Sequence, residues 1–200
     1  MNRSMPLLTG HTYHIFNRGN RKATVFHERG DYLHFLRKLR DYLFEFPVTL
    51  IAYCLMPNHF HLLMRQDDES GISDLMHAFG TSLSKTYNEK YRTVDSLFQG
   101  RFRDSRVGDQ AYLKLVARYI HRNPVKDKLC SMPEDWEFSN YCDVIGAREG
   151  KLCDFSSVLA GLANDVAVYR EFVLDPLADE WEPRLMRRIR ASEEKQQKKK

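Results

Sequence analysis

The 200-residue chain has no apolar run long enough to cross a bilayer, which excludes a helical membrane protein. Its amino-terminal MNRSMPLLTG lacks the long apolar stretch of a secretory signal, so a cytoplasmic protein is expected. Cysteine is scarce. Cys54, Cys130, Cys142 and Cys153 include no C-x-x-C pair, which argues against a disulfide framework and for buried free thiols. No internal repeat is visible. An excess of either charge is also lacking, since the net charge is only +4, and with 42% hydrophobic residues the chain can bury one sizeable core.

That small net charge conceals an uneven distribution. Arg184 to Lys200 carries eight basic and two acidic residues, Arg92 to Lys126 eight against three, and Asp143 to Glu182 three against nine. Clustering of this kind is what an electrostatic footprint for phosphate looks like, although Glu193 to Lys200 alone reads as a solvated end. Three parts follow: a main domain over 1–145, an acidic and mostly helical extension over 146–183, and a basic, partly disordered tail over 184–200.

Within the main part, Thr12 to Arg18 alternates apolar and polar residues and predicts a strand. Asp31 to Phe46 has helical spacing, with Asp31 as a plausible N-cap. Val48 to Leu55 and His59 to Arg65 predict two strands joined at the Pro57-Asn58 turn. Gly71 to Tyr91 is a long amphipathic helix, Phe98 to Val107 a fourth strand, and Asp109 to Arg122 a helix ending before Pro124. This β-α-β-β-α-β order followed by a helix predicts an α+β protein. The expected form is ferredoxin-like or RRM-like: an antiparallel sheet with helices on one face, plus the helical C-terminal extension.

Residues two apart on a strand share a face, so His59 and His61 in NHFHLLM present two imidazoles side by side. A lone pair of histidines is more often structural than metal-binding. On the helix ARYIHRNPVK, Tyr119 and Asn123 are one turn apart, and the carboxamide oxygen would complete a site suited to Mg2+ or Mn2+. The Tyr119 phenol would then lie beside whatever the metal holds, an arrangement suited to phosphodiester transfer. On pattern alone a tyrosine such as Tyr119 more often packs its helix on the sheet, and Tyr112 competes as nucleophile from seven residues earlier.

At these residues the sequence resembles a known family. AYCLMPNHFHLLM, preceded by YHIFNRGNRKATVFH and followed by LFQGRFRDSRVGDQAYLKLVARYIHRNPVK, is similar in order and spacing to the REP-associated tyrosine transposases, members of the single-tyrosine HUH, IS200-like superfamily. The likeness runs from about Gly10 to Ile145. It implies a ferredoxin-like catalytic domain with a divalent metal held by His59, His61 and Asn123, and Tyr119 as nucleophile. The implied activity is nicking and joining of single-stranded DNA beside hairpins of repetitive extragenic palindromes, through a 5′-phosphotyrosine intermediate. A monomer is the expected state, with a helix-swapped dimer as the alternative, and a cytoplasmic, nucleoid-associated location follows. Departures occur at Lys126 to Leu129, at Arg122 and at Trp136 to Tyr141; none falls on the four site residues.

Contacts to DNA would come from Arg18, Arg101, Arg103 and Arg106, with Phe98 and Phe102 interleaved either as stacking platforms or as core residues. Arg122 and Lys126 are further cations near Tyr119. Arg187, Arg188 and Arg190 in the tail are expected on a short amphipathic helix that touches hairpin phosphates. Rival readings are a relaxase or replication-initiator nickase of the same motif type, a non-catalytic hairpin-binding module, and a metal phosphohydrolase with no covalent tyrosine adduct.

Overall fold

The computed structural model describes residues 6–69 and 71–176. Strands β1 (Thr12–Arg18), β2 (Val48–Met56), β3 (His59–Gln66) and β4 (Arg103–Val107) alternate with helices α1 (Arg29–Glu45), α2 (Gly71–Tyr91) and α3 (Gln110–Lys126) in the order β1-α1-β2-β3-α2-β4-α3. The sheet runs β2-β3-β1-β4 with every neighbouring pair antiparallel, which is the split βαβ arrangement expected from the sequence. Three short helices follow: α4 (Tyr141–Val144), α5 (Ser156–Ala160) and α6 (Val166–Leu174).

Both faces of the sheet are apolar, and each has its own cover. Tyr13, Ile15, Leu55, Phe60, Leu62 and Met64 pack under Phe35 and Leu39 of α1 and Leu75 and Phe79 of α2. On the other face Phe16, Ala52, Cys54, Met56 and Leu63 meet Tyr112, Val116, Tyr119 and Ile120 of α3, joined by Phe155, Val158, Tyr169 and Val173 of the extension. Burying a side chain of this size contributes roughly 1.5–3 kcal/mol, so the extension is part of the core that holds α3.

A register slip between Leu50 and Ala52 places Ile51 and Ala52 on the same face, as a bulge does. The buried Asn140 side chain occupies the irregularity. Its Oδ1 accepts from Tyr53 N at 2.8 Å and its Nδ2 donates to Ile51 O at 3.3 Å. The outer edge of β2 is closed by the same segment, through Leu55 N donating to Phe138 O and Trp136 Nε1 donating to Leu55 O.

Several ends shift by one residue, and three boundaries differ from the sequence expectation by more. Asp31 is the third residue of α1 rather than its cap: Glu28 and Asp31 form a reciprocal capping box. Strand β4 begins at Arg103, because Phe98 makes only an isolated bridge to Gly19 and the chain then leaves the sheet. Helix α3 continues through Pro124 to Lys126. The ring removes only the N–H that would reach Ile120, and the end is closed by Leu129 N to Pro124 O and Lys128 N to Val125 O, with Lys128 at φ 60°.

Candidate active site

Strand β3 places His59 and His61 on the α3 face, with Phe60 between them buried in the opposite core. Their rings are 5.0 Å apart and perpendicular. Burial, followed by Arg18, pushes His59 down to about 4; burial, followed by His59, His14 and Arg18, holds His61 well below the usual imidazole range. Both rings are therefore neutral near pH ~7, the form that ligates a metal.

Each ring is oriented by a second group. His59 Nδ1 donates to Asn58 Oδ1 at 2.6 Å, which leaves a lone pair on His59 Nε2. His61 Nδ1 lies 2.9 Å from His14 Nε2, a residue 47 positions away on β1. If His61 donates this proton, its Nε2 has the lone pair; if His14 donates, it does not. His61 Nε2 is buried and has no hydrogen-bond partner among the described residues. In the first of these tautomers Nε2 is an orphaned acceptor in a dry site, costly unless a ligand takes it, and in that form the donor set fits a cation. His14, pushed by burial down to about 3, is also neutral.

Tyr119 descends onto this group from α3. Its ring meets His61 edge-on at 5.5 Å and His14 at 6.0 Å, and the Lys126 ammonium lies 5.5 Å from the ring centroid. Asn123, one turn later and buried, donates through Nδ2 to Tyr119 O at 2.9 Å. With the nitrogen engaged, Oδ1 is the atom a metal would use. Tyr112 is buried two turns back, about 10 Å along the helix axis, in the α3 core. No cluster of three or more His, Cys, Asp or Glu able to hold a metal occurs among the described residues; beside the histidines, the candidate third ligand is the neutral Asn123.

A family model described as Transposase IS200 like matches residues 8–123, a span that runs from β1 into α3 and includes His59, His61, Tyr119 and Asn123. The chain belongs to the IS200-like transposases. A REP-associated tyrosine transposase of Haemophilus influenzae is 30% identical over 125 residues, covering 52% of this chain and 70% of that one. Among solved structures, a REP-associated tyrosine transposase bound to a REP hairpin superposes with a TM-score of 0.58 at 19% identity, covering 78% of this chain and 95% of that chain. A transposase from Deinococcus radiodurans R1 gives a TM-score of 0.43 at 16% identity, over 61% and 97% of the two chains.

In this transposase the cations named from the sequence divide into groups. Arg18, exposed, is the cross-strand partner of His59. Arg103 is paired with Phe16 and so shares the histidine face, whereas Arg106 donates to the ring of His11 at the far end of β4. Arg101 lies by a cavity on the opposite face. Arg122 Nη1 donates to Val173 O, and with Arg118, which donates to Phe172 O and Asp175 O, it secures the end of α6. Arg122 therefore has a packing role that its place among cations did not suggest. Arg187, Arg188, Arg190 and the helix expected for them lie outside the described residues. Of the alternatives for the aromatic pair, Phe98 is a core residue, packed edge-on to Phe60 at 5.6 Å, and Phe102 is half-buried beside it.

Sequence reasoning missed His14 and Asn58. Asn58 was visible only as a turn residue, and His14 only as a strand residue. The contact of His14 with His61 depends on the β1–β3 register, in which Phe16 stands opposite His61.

Proposed function

We propose that this transposase nicks and rejoins single-stranded DNA beside hairpins of repetitive extragenic palindromes, with Tyr119 as nucleophile and His59, His61 and Asn123 as ligands of one Mg2+ or Mn2+ ion. The observation that carries this reading is the edge-on approach of Tyr119 to His61, whose buried Nε2 has no protein partner among the described residues. When bound, the divalent ion would supply Lewis-acid polarisation of the scissile phosphate.

The remaining chemistry belongs to the side chains. Tyr119 loses its phenol proton to solvent and its oxygen forms a bond to phosphorus. The bond from phosphorus to the 3′ oxygen breaks; that oxygen takes up a proton and leaves as a free 3′-hydroxyl, with the 5′-phosphate on Tyr119. Reversal with a new 3′-hydroxyl rejoins the strand. Lys126, 5.5 Å from the centroid of the Tyr119 ring, makes a cation–π contact that orients it. Arg18, beside His59, is placed to take a phosphate of the same strand. Asn58 fixes His59 in its ligating tautomer, and His61 is in its own when its Nδ1 donates to His14 Nε2.

The hairpin substrate is supported by the REP hairpin in the related complex and by the curated relative. The test uses end-labelled single-stranded hairpins from the protein's own genome, incubated with Mg2+ or Mn2+ and resolved on a denaturing gel. Metal-dependent cleavage that leaves a free 3′-hydroxyl and is lost in Tyr119→Phe supports the assignment. Cleavage that survives in Tyr119→Phe moves the role to Tyr112 or to water, and binding with no cleavage by wild type makes the chain a hairpin-binding module.

A further inference from the structure

Directly behind the paired histidines, through the sheet, a cavity of about 400 Å3 opens between α2 and the segment leading into β4. Phe60, which separates His59 from His61 on β3, points into it. Phe60, Phe79, Phe98 and Met76 form an apolar, buried floor, and Arg101 and Phe102 stand on the side facing β4.

Gly80 gives the strongest indication that this space is kept open. It lies in the interior of the 21-residue helix α2, where glycine is among the least favourable residues. No turn or close approach requires it there: its φ is not positive, and a Cβ built on it meets nothing within 4 Å. Any larger residue would enter the cavity. The hydroxyls around it are also disposed for recognition. Thr81 Oγ1 donates to His77 O, Ser84 Oγ to Gly80 O and Ser96 Oγ to Phe98 O, each at 2.8 Å. Their protons are spent on the backbone, so toward a ligand these oxygens are acceptors.

The outer wall is fastened to the catalytic end of β1. Gln99 N donates to Arg18 O at 2.9 Å, Asn20 N to Leu97 O at 3.0 Å and Asn17 Nδ2 to Gly100 O at 3.0 Å. Arg18 is itself the cross-strand partner of His59. Cavity and histidine pair are thus two faces of the same strand ends, bordered by cationic Arg18, Arg101 and Arg103.

We propose that this cavity takes one unstacked nucleobase of the bound DNA strand, a base with an exocyclic amino group, while a nearby phosphate of that strand lies at the histidine pair. This rests on the single-stranded-DNA reading above. An aromatic floor suits the face of a base, acceptor oxygens suit its amino edge, and the flanking guanidinium groups suit its phosphate. The cavity then selects sequence next to the hairpin.

Gly80→Leu tests this, since a side chain at this lining position starts in open space and leucine is the better helix former, so the melting midpoint should rise rather than fall. Binding is measured by fluorescence anisotropy on genomic hairpins with single-stranded flanks, with an abasic site placed at each flank position in turn. In wild type, one position should weaken binding by about tenfold when abasic, and also when its base is replaced by thymine. Gly80→Leu should weaken binding of the intact strand by a similar factor and become indifferent to that abasic site; Gly80→Ala should fall between.

If Gly80→Leu binds like wild type and keeps the same abasic profile, the cavity is not a base site, even where the Tyr119 adduct forms normally. If free dAMP or dCMP binds the cavity in wild type while oligonucleotide binding is unchanged in Gly80→Leu, the site serves free nucleotides and the proposal falls. A wild type that neither binds hairpins nor forms an adduct overturns both this proposal and the reading beneath it.

Discussion

Replacing His121 by phenylalanine should make the protein less stable near pH ~7 and less sensitive to acid. His121 is fully buried on α3, with Nε2 2.8 Å from Asn140 Oδ1 and Nδ1 2.7 Å from the Tyr169 hydroxyl. Asn140 Oδ1 can only accept, so His121 donates from Nε2 and Tyr169 donates to Nδ1. The neutral ring is satisfied on both sides. Burial, opposed by the Asn140 hydrogen bond, lowers its pKa from 6.5 to about 4. The unfolded chain therefore binds more protons than the native one below pH ~6.5, and stability drains as pH falls from ~6.5 to about 4 and levels off below it. At roughly 1.4 kcal/mol per unit, the loss attributable to this ring is about 3 kcal/mol at pH ~4. At pH ~7 the phenylalanine variant should lose about 1–3 kcal/mol, because the Tyr169 hydroxyl is left unpaired. Urea unfolding of both proteins at a series of pH values should show a gap that is widest near neutrality and closes or reverses in acid. Parallel stability curves would refute the account of this histidine.

Addition of Mg2+ or Mn2+ at about a hundred times its dissociation constant should stabilise the wild type by about 2.7 kcal/mol, a rise of several degrees in the melting midpoint. His61→Ala should show no such rise in the same thermal-shift measurement. Asn140→Ala should cost about 2–4 kcal/mol in urea unfolding, since it leaves the Tyr53 and Ile51 backbone groups and His121 unpaired at the bulge in β2.

Period-two and helical patterning carried most of the fold. Strand β1 and helix α2 have the boundaries the pattern predicts, and the β2–β3 hairpin turns at Pro57-Asn58. Patterning failed where a local rule met tertiary structure. The alternation of Phe98 to Phe102 continues that of β4, yet the ladder begins only at Arg103, and Phe98, Gly100, Arg101 and Phe102 line the cavity under α2. Pro124 reads as a stop, but one lost hydrogen bond near the last turn is tolerated when a closed C-terminal motif follows. At the site, His59 and His61 were legible from their spacing and Tyr119 and Asn123 from a one-turn interval and the family resemblance. His14 was not, because nothing in a single sequence states which residue of β1 will face His61. Nor was the packing contact of Arg122, because no local pattern signals the carbonyl it binds on a helix 51 residues later.

The most direct test of the central claim is the site of the covalent adduct. The protein is incubated with a single-stranded hairpin and Mg2+ or Mn2+, digested with nuclease and trypsin, and its peptides are weighed. Trypsin separates the two tyrosines, since Arg118 and Arg122 bound a peptide holding Tyr119 while Tyr112 lies before Lys114. A nucleotide-phosphate mass on the Tyr119 peptide, absent without metal and absent in Tyr119→Phe, is the predicted result. The same mass on the Tyr112 peptide, or cleaved DNA with no modified tyrosine, would contradict it.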